Sequence, residues 1–423
     1  RMNRRGFVGS AAAAGAAASF ASRVLGANDR LVAGVMGVHG RGTQLARVLA
    51  GLKSSAVACV CDVDARSMTA AAAAVSSVQV YKPEEVGDVR RLLENPVVDA
   101  LVIAAPNHWH GPATILACKA GKHVYVEKPC CHNPREGELM VAAARAHKRV
   151  VQVGTQRRSW PAVIEAMEAV RGGAIGRAFF ARGRYTSARG SIGRGKEAPV
   201  PDWLDYELWQ GPAPRRPFTD NRIHYNWHWF WHWGNGELGN NGVHALDLCR
   251  WGLGAGYPVR VSSSGGRYFY DDDQETPDTH EVMFEFADKK AIAWEGLSCN
   301  RNWLGSRDWI ASFYGDKGAL ALWDGAYTIF DRNDKVVREG RGPGGDEAHL
   351  QNFVDCARAG GRPSADIEEG HKSTLLPHLG NIAHRVGRSL KCDPASGRIL
   401  GDEEAMGLWG REYAPGWEPL SED

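Results

Sequence analysis

The sequence predicts an α/β protein whose N-terminal part is a doubly wound parallel sheet. Three observations carry this reading. An apolar run, Leu31 to Met36, feeds a glycine-rich turn, Gly37-Val38-His39-Gly40-Arg41-Gly42. A second apolar run, Val57 to Cys61, ends at Asp62, 20 residues beyond Gly42. A further strand-like run, His123 to Val126, closes on Glu127-Lys128-Pro129. Strand, glycine turn, helix, strand and carboxylate in that order define a dinucleotide-binding unit.

The chain has 423 residues, 43% hydrophobic and 24% charged, enough to bury a sizeable core in two or three domains. Its net charge of +2 gives no electrostatic case for nucleic acid as a partner. Residues 1–27 read as an address. Asn3-Arg4-Arg5-Gly6-Phe7-Val8 precedes an alanine-rich stretch, Ala11 through Ala21, too short to span a bilayer. The pattern is that of a twin-arginine export signal. It implies a periplasmic or otherwise extracytoplasmic protein, with no stable membrane insertion once the signal is removed. The nine cysteines show no C-x-x-C pair and no zinc spacing, and read as small buried residues.

The first folded unit is expected over residues 28–153. Leu31–Met36 has the continuous apolar character of a parallel strand buried on both faces. The turn follows, then a helix from Thr43 to Leu52. Backbone N–H groups at that helix start suit a pyrophosphate, aided by the helix dipole. Gly37 admits the tight turn, and Gly42 lets helix and strand approach; Gly40 stands beside His39. His39 stands where the fingerprint has its second glycine, and histidine tolerates a left-handed conformation better than most residues, so the turn can survive there. Asp62 is placed to accept from ribose hydroxyls and would repel a 2′-phosphate, which favours NAD over NADP; Arg66 is the counter-signal. A strand over Val98–Ala104 leads into Ala105-Pro106-Asn107-His108-Trp109-His110, expected as a loop beside the nicotinamide half of the cofactor. Gly111–Ala120 reads as a helix and Val150–Val153 as the next strand.

These residues resemble the Gfo/Idh/MocA oxidoreductases. The resemblance rests on the glycine turn, Pro106-Asn107 with His110, Gly121-Lys122-His123-Val124, Glu127-Lys128-Pro129, and a segment from Gly234 to Asp247 that is similar to the family's second catalytic segment. It implies a Rossmann domain followed, over residues 154–423, by an α/β domain with a largely antiparallel open sheet. That domain would bind substrate and pair subunits, giving a homo-oligomer, a dimer or tetramer. Alternating runs at Ala178–Tyr185, Val282–Phe286 and Ala291–Glu295 agree with it.

The cofactor contacts expected are Gly37, His39, Gly40, Arg41, Gly42, Asp62, Pro106, Asn107, His110, Glu127 and Lys128, holding a tightly bound NAD. Oxidising a secondary alcohol requires a group to take the hydroxyl proton. Lys128 qualifies if burial lowers its pKa, and His244 has an ordinary value near neutrality. The family pattern has lysine, aspartate and histidine together; here the aspartate position is Asn240, which orients but carries no proton. The expected base is therefore His244, with Lys128 as donor or electrostatic partner and Glu127 fixing the loop.

The chain carries 15 tryptophans. As a strand, Tyr225–Trp233 would turn four indoles to one side and His228, Phe230 and His232 to the other, and indole faces stack on pyranose rings. Trp203, Trp227, His228, Trp231 and His232, with Arg157, Arg158, Asn240 and His244, are therefore the expected substrate contacts. Aromatic packing beside the site is the competing reading. His224, His228 and His232 would share a helix face, but no acid or cysteine completes a metal site, so no metal is expected. His349 is a further candidate for approach to substrate. Glu368 to Arg388 reads as a helix with an acidic start and a basic end.

The expected activity is NAD-dependent oxidation or reduction of a ring secondary alcohol of a sugar or glycoside. Two alternatives remain: a redox-neutral NAD-dependent glycosidase, and an inactive sugar- or nucleotide-binding protein.

Overall fold

The computed structural model describes residues 30–301 and 309–418; the proposed export signal lies outside the described residues. The N-terminal sheet has six strands, β1 (Leu31–Met36), β2 (Ser55–Cys61), β3 (Glu84–Val86), β4 (Ala100–Ile103), β5 (His123–Val126) and β6 (Val151–Val153). Their order is β3-β2-β1-β4-β5-β6, with every pair parallel. Strand order reverses between β1 and β4, and a crevice opens there at the carboxyl ends of the strands. All residues of β1 and β2 are buried, as their uninterrupted apolar runs require.

Two helices begin earlier than expected. The first runs Arg41–Gly51, so the glycine turn passes straight into it. The second runs Asn107–Lys119, which makes Asn107 to His110 its first turn rather than a loop. Gly111 and Pro112, where the helix was expected to begin, are both tolerated inside it. Pro112 lacks the N–H that would bond the His108 carbonyl, and Arg411 Nη2 donates to that carbonyl instead, at 2.8 Å. At Gly111 a Cβ would lie 2.8 Å from the Glu136 side chain, so glycine permits the approach of the Pro134–Ala146 helix.

The second sheet has nine strands: β7 (Ala178–Thr186), β8 (Arg260–Gly266), β9 (Thr279–Phe286), β10 (Lys290–Leu297), β11 (Ala311–Gly315), β12 (Gly318–Trp323), β13 (Ala326–Asp331), β14 (Val336–Arg341) and β15 (Leu390–Lys391). The order is β14-β13-β12-β11-β7-β10-β9-β8-β15, antiparallel except for β7 against β10. Alternate residues of β9 and β10 are buried, the signature of a sheet covered on one side. Helices Pro161–Arg171, Val243–Leu253 and Ile367–Val386 supply that cover and share its core.

One helix crosses the expected boundary near residue 153. Glu347–Ala359 contributes Leu350, Phe353, Val354 and Ala357 to the core around Leu31, Ala33, Val35 and Tyr125. His349 on this helix is buried, with Nε2 2.9 Å from the Val153 carbonyl and Nδ1 2.7 Å from Ser159 Oγ. It ties the layers together and does not reach the cleft. All nine cysteines are free and eight are buried. No helix among the described residues is long and apolar enough to cross a membrane.

Candidate active site

A cavity of about 760 Å³ occupies the crevice at the carboxyl ends of β1, β2, β4 and β5 and runs on between the two domains. Its dinucleotide end is built from the glycine turn. Gly37 has φ +81°, and a Cβ there would lie 2.4 Å from the Ala105 backbone nitrogen. At Gly42 a Cβ would lie 2.1 Å from the Gly37 carbonyl oxygen, so only glycine lets the helix leave the turn this closely. His39 is not left-handed; Gly37 alone in the turn takes positive φ, so the residue at 39 needs no glycine-like freedom. Gly40 precedes the helix and offers it no side-chain cap. The first-turn N–H groups, beside a Gly40 that is open around its Cβ position, therefore suit an anion. Gly42→Ala is expected to destabilise the fold by about 1–3 kcal/mol and to weaken dinucleotide binding, checked by urea unfolding and NAD titration. Unchanged affinity in a normally stable variant would contradict this reading of the turn.

Asp62 lines the cavity at the end of β2. Its Oδ2 accepts the Val38 N–H at 2.7 Å and its Oδ1 the Asp64 N–H at 3.0 Å, which fixes the carboxylate against the turn. Burial pushes its pKa up, and these backbone bonds oppose the rise. Arg66 is committed elsewhere: it pairs with Asp64 at 3.0 Å and lies 3.6 Å over the Trp203 ring.

Arg41 lines the cavity, but its guanidinium belongs to the scaffold. Nε donates to Glu127 and Nη1 and Nη2 to Asp346, each at 2.7 Å. One cation thus joins the glycine turn, the Glu127-Lys128-Pro129 segment and the start of the Glu347–Ala359 helix. Pro106, Asn107 and His110 all line the cavity. The His110 ring lies between the Pro129 and Ala105 carbonyls, 2.7 Å from each, and so holds two cleft walls in register.

At the far end Lys128, Asn240 and His244 come together, as the sequence suggested. The segment from Leu238 to Gly242 is a single π-helical turn leading into the Val243–Leu253 helix. Widened turns of this kind often occur at functional sites. Lys128 Nζ donates to the Asn240 carbonyl at 3.0 Å and to Asn240 Oδ1 at 3.1 Å. Burial lowers the Lys128 pKa, while Glu127 and Glu237 raise it and Arg41 and Arg157 lower it further. Burial, with Arg157, Lys128 and Arg41 nearby, holds His244 well below the usual histidine value. Its Nδ1 has no protein partner.

Several residues of this end were missed, Arg189, Tyr185, Tyr225, Gln156 and Asn241 among them. Arg189 donates Nε to Glu237 at 2.6 Å and bonds the Tyr225 and Tyr185 hydroxyls at 3.0 and 3.3 Å. Glu237 also accepts from the Asn241 amide, so the π turn is braced by a partly buried ion pair. Arg189, Tyr185 and Tyr225 line the cavity, as does Gln156. Nothing in the local sequence marks them, because their spacing spans three separate segments.

Several expected substrate contacts lie elsewhere. Arg158 makes a buried ion pair with Asp247 at 2.7 Å, and Arg157 pairs with Asp324 at 3.1 Å over the Trp160 ring. Neither lines the cavity. Tyr225–Trp233 is not a strand; Asn226–Trp229 is a 3₁₀ turn. Side chains bend it locally: Asn226 Nδ2 donates to the Asn221 carbonyl, and Trp227 Nε1 to that of His224. Trp203 and Trp227, with Trp209, Phe230 and Trp233, form a small aromatic core of their own. Of the expected aromatics, Trp227 and the His228 stacked on it reach the cavity. Trp231 and His232 border a different one. His224, His228 and His232 share no helix face, and no cluster of metal-binding side chains occurs among the described residues.

The fold and the crevice define a two-domain, dinucleotide-binding oxidoreductase architecture. Residues 31–155 match the "Oxidoreductase family, NAD-binding Rossmann fold" and residues 189–418 the "Oxidoreductase family, C-terminal alpha/beta domain". The chain belongs to the Gfo/Idh/MocA oxidoreductase family. It is 29% identical to levoglucosan dehydrogenase of Pseudarthrobacter phenanthrenivorans over 168 residues, 40% of this chain and 36% of that protein. It is 28% identical to a glycosyl hydrolase family 109 protein of Saccharopolyspora erythraea over 164 residues, 38% of this chain and 36% of that protein. The matched stretch thus spans about a third of these relatives' length. A solved levoglucosan dehydrogenase, in complex with NADH and levoglucosan, superposes with a TM-score of 0.67 over 86% of this chain and 99% of that one, at 18% identity. That likeness is one of fold.

Proposed function

We propose that the protein is an NAD-dependent oxidoreductase acting on a ring secondary alcohol of a sugar or glycoside. The observation that carries this reading is the junction of Lys128, Asn240 and His244 with the dinucleotide end in one continuous cavity. The glycine turn and the uncapped Arg41–Gly51 helix would hold the pyrophosphate, and Asp62 the adenosine ribose. Arg66, already engaged by Asp64 and Trp203, offers little to a 2′-phosphate, which favours NAD. Bound NAD supplies a hydride acceptor; the chain supplies position and proton transfer.

Lys128 is the proton carrier in this reading, rather than His244. Burial moves the lysine toward working pH, and two oxygens of Asn240 aim its amine. His244 stays neutral and is suited to orient the substrate hydroxyl through a hydrogen bond. Asn240, in place of a carboxylate, aims Lys128 without adding a countercharge that would hold the amine protonated.

The segment from Trp203 to His224 supports a tightly held cofactor. It straps the C-terminal domain to the edge of the dinucleotide end. The Ala65 N–H donates to the Trp203 carbonyl at 3.3 Å, and the Asp205 N–H to that of Val63 at 3.0 Å. His224 pairs with Asp64 at 3.0 Å and stacks on His39 at 4.1 Å. Release of a dinucleotide then requires these contacts to part. Trp203→Ala with His224→Ala is expected to speed NAD dissociation by about tenfold or more, read by stopped-flow fluorescence; an unchanged off-rate refutes the strap.

A redox-neutral glycosidase is the second reading, favoured by the Tyr185 hydroxyl beside Arg189 in the same cavity and by the family 109 relative. One experiment separates the two. Glycosides and free sugars are added to purified protein carrying NAD, while absorbance at the nicotinamide band and release of leaving group are followed together. Net band growth without leaving group supports the oxidoreductase; leaving group without net growth supports the glycosidase. Neither signal across a broad panel removes both.

A further inference from the structure

The dinucleotide cavity has a wall that the first domain does not supply. The short helix Tyr206–Gln210 belongs to the second domain, and its Leu208 and Trp209 line the crevice. Three hydrogen-bond contacts hold it on the first domain. The Asp205 N–H donates to the Val63 carbonyl at 3.0 Å. The Trp209 carbonyl accepts from Trp109 Nε1 at 3.0 Å and lies 2.9 Å from His108 Nε2, both on the first turn of the Asn107–Lys119 helix. Gly211 ends the short helix with φ +44°, and a Cβ there would lie 2.1 Å from the Trp109 ring, so only glycine lets the chain pass this closely.

The side chains of this helix divide between the domains. Tyr206 and Trp209 are buried in the small aromatic core with Trp227, Phe230 and Trp233. Leu208 instead packs against the core of the first domain and stays only half-buried. It lines the cavity together with Val63, Gly87, Val89 and Trp109. None of these five is charged, so they suit the flat apolar face of a base better than a phosphate. Val63 directly follows Asp62, the expected ribose partner, so the base carried on that ribose falls among them.

There is room for it. A further cavity of about 740 Å³ shares Asp62, Val63, Gly87 and Leu208 with the first, so the slot continues outward past these residues. No atom lies within 4 Å of the Cβ position of Gly87.

We infer that the helix Tyr206–Gln210 is the second domain's contribution to the adenine end of the cofactor site, with Leu208 in direct contact with the base. The inference rests on the NAD reading above. It adds that affinity for the adenine-bearing half depends on a residue outside the dinucleotide-binding domain.

The test is isothermal titration calorimetry of the nucleotide-free full chain with NAD, ADP-ribose and nicotinamide mononucleotide. The first two carry adenine and the third does not. Leu208→Ala is expected to weaken NAD and ADP-ribose by about tenfold, the worth of a leucine covered by ligand, and to leave nicotinamide mononucleotide within about twofold. Leu208→Met, of similar volume, should bring the adenine-bearing ligands back near the unmodified affinity. Unchanged affinity for NAD and ADP-ribose in Leu208→Ala overturns the inference, as does a loss that nicotinamide mononucleotide shares. A photolabel needs no substitution: irradiated 2-azido-NAD is expected to mark residues 205–211, and a mark confined to residues 30–155 would contradict the contact. An unmodified chain that binds none of the three ligands would remove the NAD reading itself, and this inference with it.

Discussion

Lys128→Met is expected to lower the rate of sugar oxidation by about 10²–10⁴-fold, the usual worth of a positioned general acid or base. NAD affinity should change little, because the pyrophosphate and ribose contacts lie at the other end of the cavity. The pH dependence gives the sharper check. Oxidation needs the free amine, so kcat/KM for oxidation should rise with pH through the Lys128 pKa, which burial holds below the ordinary lysine value. Reduction needs the ammonium and should fall over the same interval. Both slopes should vanish in the methionine variant. His244→Ala should cost less, because an imidazole kept neutral well below its usual pKa is already in one protonation state throughout. A pH profile that survives in Lys128→Met and disappears in His244→Ala would reverse the two roles.

The second large effect is on stability. Burial brings His280 and His378 to about 3, and His349 and His371 to about 4. All four side chains are nearly inaccessible. In the unfolded chain each titrates near the ordinary value of about 6.5. As pH falls below that, the unfolded state takes up protons that the folded state refuses, and stability drops. Each group contributes up to about 1.4 kcal/mol per pH unit, and four give a ceiling of about 5 kcal/mol per unit between their unfolded and folded values. Against burial, arginine partners hold Asp64 and Glu369 at about 2. Their contribution is lost only as pH falls below the unfolded carboxylate range, so the two windows separate. Urea midpoints measured from pH 7 to pH 4 should therefore fall steeply before carboxylates titrate. A flat profile from pH 7 to pH 5 would mean that these imidazoles open to water at little cost.

Much of the fold was legible in the chain. Leu31–Met36 and Ser55–Cys61 declare themselves because a strand buried on both faces has no polar alternation. Gly37 and Gly42 declare the turn because no other residue fits the backbone beside them. Lys128, Asn240 and His244 were named together because their segments resemble the family's motifs, and the structure brings the three to one end of the cavity. The aromatic run at Tyr225–Trp233 misled for the converse reason. Its composition suits a sugar cleft and a private core equally well, and only the bends made by Asn226 and Trp227 decide between them.

The local chain by itself determined the doubly wound parallel sheet and the glycine turn, since these depend on short-range sterics and on periodicity. Tertiary structure alone decided that Arg41 braces the site through Asp346 instead of meeting a phosphate, that Glu347–Ala359 completes the first core, and that Trp203, Trp209, Trp227 and Trp233 pack into a core of their own. Those outcomes depend on pairs far apart in sequence, where burial and charge neutralisation are settled only when the domains close on each other.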